Sequence, residues 1–217
     1  MKLHPFVENI SLLKFDNCFN PYSDCCKVYD RQDASQYRAR VFSELLYRAT
    51  EMSVDAIWIG RDLGYRGGRR TGLALTDDAH LHQHAKRWGV NLPPEHPTIG
   101  SVVTERTAAV IWKMLALIDA RIFLWNVFPF HPYKPGEPFT NRQHNANERE
   151  VGEELLRQLI ELIKPSHIIT IGNEAFSSGQ KITDIIPIIK VRHPSYGGQT
   201  QFQEQISKIY ANCMQGN

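Results

Sequence analysis

The sequence predicts an α/β fold: a three-layer α/β/α sandwich around a central four-stranded parallel sheet. Three observations carry this expectation. Four short apolar runs have strand length, and segments with helical spacing separate them. Such alternation is characteristic of parallel sheets covered by helices on both faces. A chain of 217 residues with 42% hydrophobic and 22% charged residues also suits one α/β domain with a full core, here taken as 1–217.

Residues 1–33, including FNPYSDCC, read as an irregular arm lying on that domain. Ala34–Met52 follows as an amphipathic helix, with Tyr37, Val41 and Leu45, and Phe42 and Leu46, at helical spacing. The first strand is Asp55–Gly60 (DAIWIG). Thr104 serves as N-cap of a helix through Ala108–Leu117, leading to the second strand, Arg121–Asn126 (RIFLWN). Glu148–Ile163 is helical and precedes the third strand, His167–Gly172 (HIITIG). The fourth is Ile185–Val191 (IIPIIKV).

Bulk properties exclude several function classes. Net charge is +2, so no global basic field argues for nucleic acid, and any phosphate site must come from local clustering. The N-terminus MKLHPFVENI has no signal-peptide core, and no apolar run approaches ~18 residues, so a cytoplasmic protein is expected. Cys18, Cys25, Cys26 and Cys213 lack C-x2-C spacing, which favours reduced structural thiols over a metal site. A monomer is the default.

In open parallel sheets the ligand lies beyond the carboxyl ends of the strands. The first such loop, GRDLGYRGGRR, combines Asp62 with Gly64, Gly67, Gly68 and Gly72. It also carries Arg61, Arg66, Arg69 and Arg70, suited to anionic oxygens. It is neither a Walker loop nor a dinucleotide fingerprint, and a flexible turn with Asp62 paired to an arginine remains open. In the fourth loop, His193-Pro194-Ser195 places an imidazole at the same sheet edge as Asp62. An acid and an imidazole facing one crevice are the minimum for hydrolysis. In the second, Asn126 offers a donor and an acceptor able to grip the edge of a base, or else caps the sheet end. The FPFHPYKPGEPF that follows reads as a stiff wall with aromatic surface. The third loop, Gly172-Asn173-Glu174-Ala175, reads as a helix cap.

The ordered G-x-D, strand-end Asn and HPS resemble the motifs of the uracil-DNA glycosylase superfamily. The stretches GRDLGYRGGRRTGLALT, WNVFPFHPYKPG and RHPSYGG are similar to a bacterial branch that usually reads GEAPGYRG, WNxFPxHPHxPG and RHPxxGG. The resemblance implies a DNA repair enzyme that cleaves the uracil–deoxyribose bond, with no metal or cofactor in the chemistry. It implies that Asp62 positions or activates water, that His193 stabilises charge on the uracil O2, and that Asn126 reads the uracil edge. Ser195 would contact phosphate and Tyr196 would enter the duplex beside the flipped base. Leu75 stands where a stacking Phe is expected. Gly64 stands where another branch has a tyrosine that excludes thymine's methyl, a role open to Tyr65. The arginines and amides of the first loop would hold DNA backbone.

Arg61 and Leu63 occupy positions where that branch has an acid and a proline. With Leu75, they motivate an alternative: a non-catalytic member that binds damaged or single-stranded DNA. An enzyme of the same fold acting on free nucleotides is a third reading.

Overall fold

The computed structural model describes residues 2–214. Its elements in chain order are α1 (Pro5–Ser11), β1 (Cys18–Phe19), α2 (Ala34–Glu51), β2 (Ala56–Asp62) and α3 (Gly68–Thr71). Then come a 3-10 turn (Asp78–His80), α4 (Leu81–Arg87), α5 (Arg106–Leu115), β3 (Ile122–Phe128) and β4 (His131–Pro132). The last are α6 (Ala146–Ile163), β5 (His167–Ile171), α7 (Asn173–Ile182), β6 (Ile188–Val191) and α8 (Gln199–Ile209).

Four strands form the expected parallel sheet, in the order β3-β2-β5-β6. Side chains alternate across it, so the strands serve two cores. Ile57, Ile59, Phe123 and Trp125 pack with Phe6, Phe42, Leu46 and Leu159 of α1, α2 and α6. Ala56, Trp58, Ile122 and Leu124 face Ile111 and Trp112 of α5 and Phe202 and Ile206 of α8. Strand order reverses at β2: the chain leaves it for β3 on one side, then returns to β5 on the other. The ends of β2 and β5 therefore splay apart into a crevice.

Several boundaries differ from the sequence reading, each for a physical reason. The N-terminal arm is not irregular throughout. Pro5 starts α1, the His4 ring caps it through Phe6 N–H, and Phe6, Val7 and Ile10 are buried. The strands β2 and β3 continue two residues beyond their expected ends, because Asp62 still pairs with Phe128. Asn126 thus lies within a strand, opposite Gly60. The strand β6 starts at Ile188 rather than Ile185: Pro187 has no N–H for the ladder, and Ile185 is exposed. Glu105, not Thr104, is the N-cap of α5. The helix α6 begins earlier, at Ala146, behind a capping box of Asn145 and Glu148.

Candidate active site

A cleft of about 460 Å³ opens at the carboxyl ends of the strands, a size that suits a small-molecule group. Gly60 to Gly64 and Leu75 come from β2 and the glycine loop, and Asn126 from β3. Ile171 to Glu174 come from the end of β5, and His193, Ser195 and Tyr196 from the turn after β6. Residues from all four sequence-identified loops thus meet in one place.

Asp62 ends β2 with its side chain only 5% exposed. Its Oδ2 accepts a 2.6 Å bond from Arg61 Nε, and its Oδ1 pairs with His144 Nδ1. The open alternative, pairing of Asp62 with an arginine, is therefore realised, but inside the cleft rather than in a flexible turn. His144 sits just before the capping box, where Arg142 grips Glu148 at 2.7 and 2.6 Å. That clamp fixes the backbone from which the imidazole reaches Asp62.

Asn126 is 1% exposed, and neither its Oδ1 nor its Nδ2 has a partner among the described residues. Its amide lies over Gly60, where a Cβ would stand 2.4 Å from Asn126 Oδ1 and 3.1 Å from Leu75 Cδ2. Leu75 holds a left-handed backbone (φ 54°), which is costly for a non-glycine residue. The Trp112 indole N–H donates to its carbonyl at 3.1 Å and helps hold that geometry. Leu75 thus lines the cleft as an aliphatic surface beside the unpartnered amide.

The protonation of His193 follows from its contacts. The Ser195 backbone N–H donates to Nδ1 at 3.1 Å, so Nδ1 is an acceptor and the ring proton resides on Nε2. Ser195 Oγ also lies 2.7 Å from Nδ1. Burial, then the neighbouring Arg61 and Arg192 charges, lower the imidazole's pKa below its ordinary value. A neutral ring that donates from Nε2 suits a developing oxyanion. Tyr196, at the tip of the same turn, is 98% exposed with φ 51°.

Four sequence-identified residues lie elsewhere. Tyr65 does not line the cleft; its backbone N–H is bound to Asn141 Oδ1 at 3.0 Å. Arg66 is exposed on the loop. Arg69 and Arg70 turn inward and do not present a phosphate-binding face. Arg69 stacks 3.9 Å over Phe19 and bonds Tyr29 and His131, while Arg70 pairs with buried Asp78 at 2.7 Å. The expected aromatic surface after β3 is internal only in part: Phe128 and Phe130 are fully buried against Phe15, whereas Phe139 is exposed. Among the cysteines only Cys26 is buried, and no group of three or more potential metal ligands occurs among the described residues.

The third loop does more than cap a helix. Gly172, with φ 93°, is the N-cap of α7, and Gly172, Asn173 and Glu174 line the cleft. Glu105, Asn141, Arg142 and His144 had no recognisable sequence signal, since none follows an apolar run or sits in a motif. The cleft continues, through Thr107, Ser195 and Tyr196, into a groove of about 630 Å³ bordered by Arg106 and Lys113 of α5.

The family model described as the uracil DNA glycosylase superfamily matches residues 51–212. The chain belongs to the uracil-DNA glycosylase superfamily. All the strand-end loops lie within the matched region. Among solved structures, wild-type SMUG2 from Pedobacter heparinus matches with a TM-score of 0.62 and 14% identity, over 95% of this chain and 97% of that one. At that identity the likeness shows the fold. A tyrosine-to-glycine mutant of UNG from Nitratifractor salsuginis gives 0.42 and 15% over 80% and 81% of the two chains. No curated protein matches the chain. In the first loop of the cleft, Arg61 is tied to Asp62, and glycine occupies position 64.

Proposed function

We propose that the cleft hydrolyses the N-glycosidic bond of uracil, or a related deaminated base, flipped out of DNA, and leaves an abasic site. The observation that carries this reading is the Asn126 amide, buried with donor and acceptor both unpartnered. A group in that state costs stability unless a ligand completes it. A pyrimidine edge offers the matching acceptor and donor.

The other parts take complementary roles. Flipping a base costs a few kcal/mol, which contacts to the DNA backbone offset. Arg66 is exposed on the glycine loop, Arg106 and Lys113 border the groove, and these three take the phosphate role that buried Arg69 and Arg70 do not. Exposed Tyr196 fits the gap left by the base. The His193 Nε2–H donates to the oxygen on which the departing base accumulates charge. Asp62 lies toward the sugar, favours its cationic character and orients water.

One observation favours a second reading, a DNA-binding member without turnover: both Asp62 oxygens already have partners. Uracil-containing single- and double-stranded DNA, incubated with the protein and then treated with alkali, separates the two. Strand breaks are expected for the wild type, with losses of ~10²–10³-fold for His193→Ala, the scale of one oxyanion donor. Asp62→Asn is expected to slow turnover strongly and spare DNA binding. Absence of breaks on uracil, hypoxanthine and xanthine substrates would leave only the binding reading.

A further inference from the structure

A second carboxylate lines the cleft, and the roles above leave it unused. Glu105 is the N-cap of α5, yet its side chain makes no capping bond. It lines the same cleft as Asp62, Asn126 and His193 instead. The glycine loop makes room for it. A Cβ at residue 64 would stand 2.8 Å from Glu105 Oε1, and one at residue 67 would stand 2.1 Å from Oε2. Its backbone N–H is anchored to Asp77 Oδ2 at 2.7 Å, which fixes the root of the side chain. Among the described residues nothing hydrogen-bonds to either carboxyl oxygen, in contrast to Asp62, whose oxygens are taken by Arg61 and His144.

We propose that Glu105 is a catalytic residue of this cleft, the general base that accepts the proton of the attacking water. The inference rests on the hydrolytic reading. The water oxygen bonds to the sugar C1′, and its proton passes to the Glu105 carboxylate. The C1′–N electron pair leaves with the base as an anion, held by His193 Nε2–H. The proton on Glu105 then returns to the departing base or to solvent. Asp62, compensated by Arg61, orients water and sugar but does not take the proton.

The surroundings tune Glu105 for this task. Burial, then the negative charge of Asp77, push its pKa up to about 7, while Arg66 acts in the opposite direction. Asp77 is itself bound to His80, and Asp62, Arg61 and His193 share the cleft. A base is most effective when its pKa lies near the working pH.

Single-turnover rates on uracil-containing DNA, measured against pH, test the assignment. The wild-type rate is expected to fall on the acid side with an inflection near 7. Glu105→Gln should lose about 100-fold or more and flatten that inflection. Asp62→Asn should be slow yet keep the inflection in whatever rate remains. Formate should restore part of the rate to Glu105→Ala, a rescue that a purely structural role would not give. Glu105→Asp, which keeps a carboxyl, should retain the inflection and covers the case in which the other variants fail to fold. The assignment is overturned if Glu105→Gln keeps a rate within about threefold of wild type, or if its loss comes without a changed profile and without formate rescue. Wild-type turnover with either of those outcomes leaves the hydrolytic reading standing. Absence of wild-type turnover on every base overturns both.

Discussion

At Asn126 and Gly60, two residues facing each other across adjacent strands, the missing Cβ of one makes space for the amide of the other. Leaving a buried donor and acceptor unpaired costs about 1–3 kcal/mol per group, so this arrangement opposes stability in the free protein. Gly60→Ala tests it directly. The new methyl would meet Asn126 Oδ1 at 2.4 Å and displace the amide. The rate on uracil-containing DNA is expected to fall about 10²-fold, with the circular dichroism spectrum unchanged. Asn126 was legible from sequence because it follows an apolar run and carries a two-way hydrogen-bonding group. His144 and Glu105 were not. His144 reaches Asp62, and Glu105 reaches the cleft, from segments distant in sequence, and residue type alone does not say where such a side chain points.

The short helix α3 shows the same limit at the scale of an element. In GRRT, four residues are too few for a periodic pattern to mark an inner and an outer face. Two adjacent arginines in a glycine loop looked like a phosphate site, and tertiary packing buries both. Their neighbour Arg66 and the α5 residue Arg106 remain exposed. Arg66→Ala and Arg106→Ala are each expected to reduce the slope of log Kd against log salt by about 1 on uracil-containing DNA. Arg70→Ala should leave that slope unchanged and lower stability by about 3–5 kcal/mol in urea titrations, because it strands the buried Asp78 carboxylate. Longer elements were easier to read. The helices α2 and α6 lie within a few residues of their expected bounds, since their apolar spacing repeats often enough to define a face, and the strand β5 does so because an unbroken apolar run marks a strand buried on both sides.

For the molecule as a whole, buried histidines and Glu105 set opposite responses to pH. Burial first, then Arg87, lowers the His84 pKa to about 3; burial first, then Arg69, lowers that of His131 to about 4. The unfolded chain binds these protons below 6.5 and the folded chain refuses them, so each opposes the fold as pH falls from 6.5 toward 4. Glu105 acts in reverse: the folded state keeps its proton between 4.5 and about 7, and stability falls as pH rises through that window. Thermal melts across pH should therefore show a flatter acid limb for His84→Asn, by up to ~1.4 kcal/mol per pH unit. By itself the sequence determined the class of fold, the four strands and the loops that carry Asp62, Asn126 and His193. Periodicity and strand-end position are local properties, and they survive in one dimension. Only the tertiary structure decided that Arg61 and His144 hold Asp62, that Arg69 and Arg70 are internal, and that Glu105 joins the cleft. Those facts depend on which distant segments the β3-β2-β5-β6 order brings together, and on the missing side chains at Gly60, Gly64 and Gly67 that let them approach.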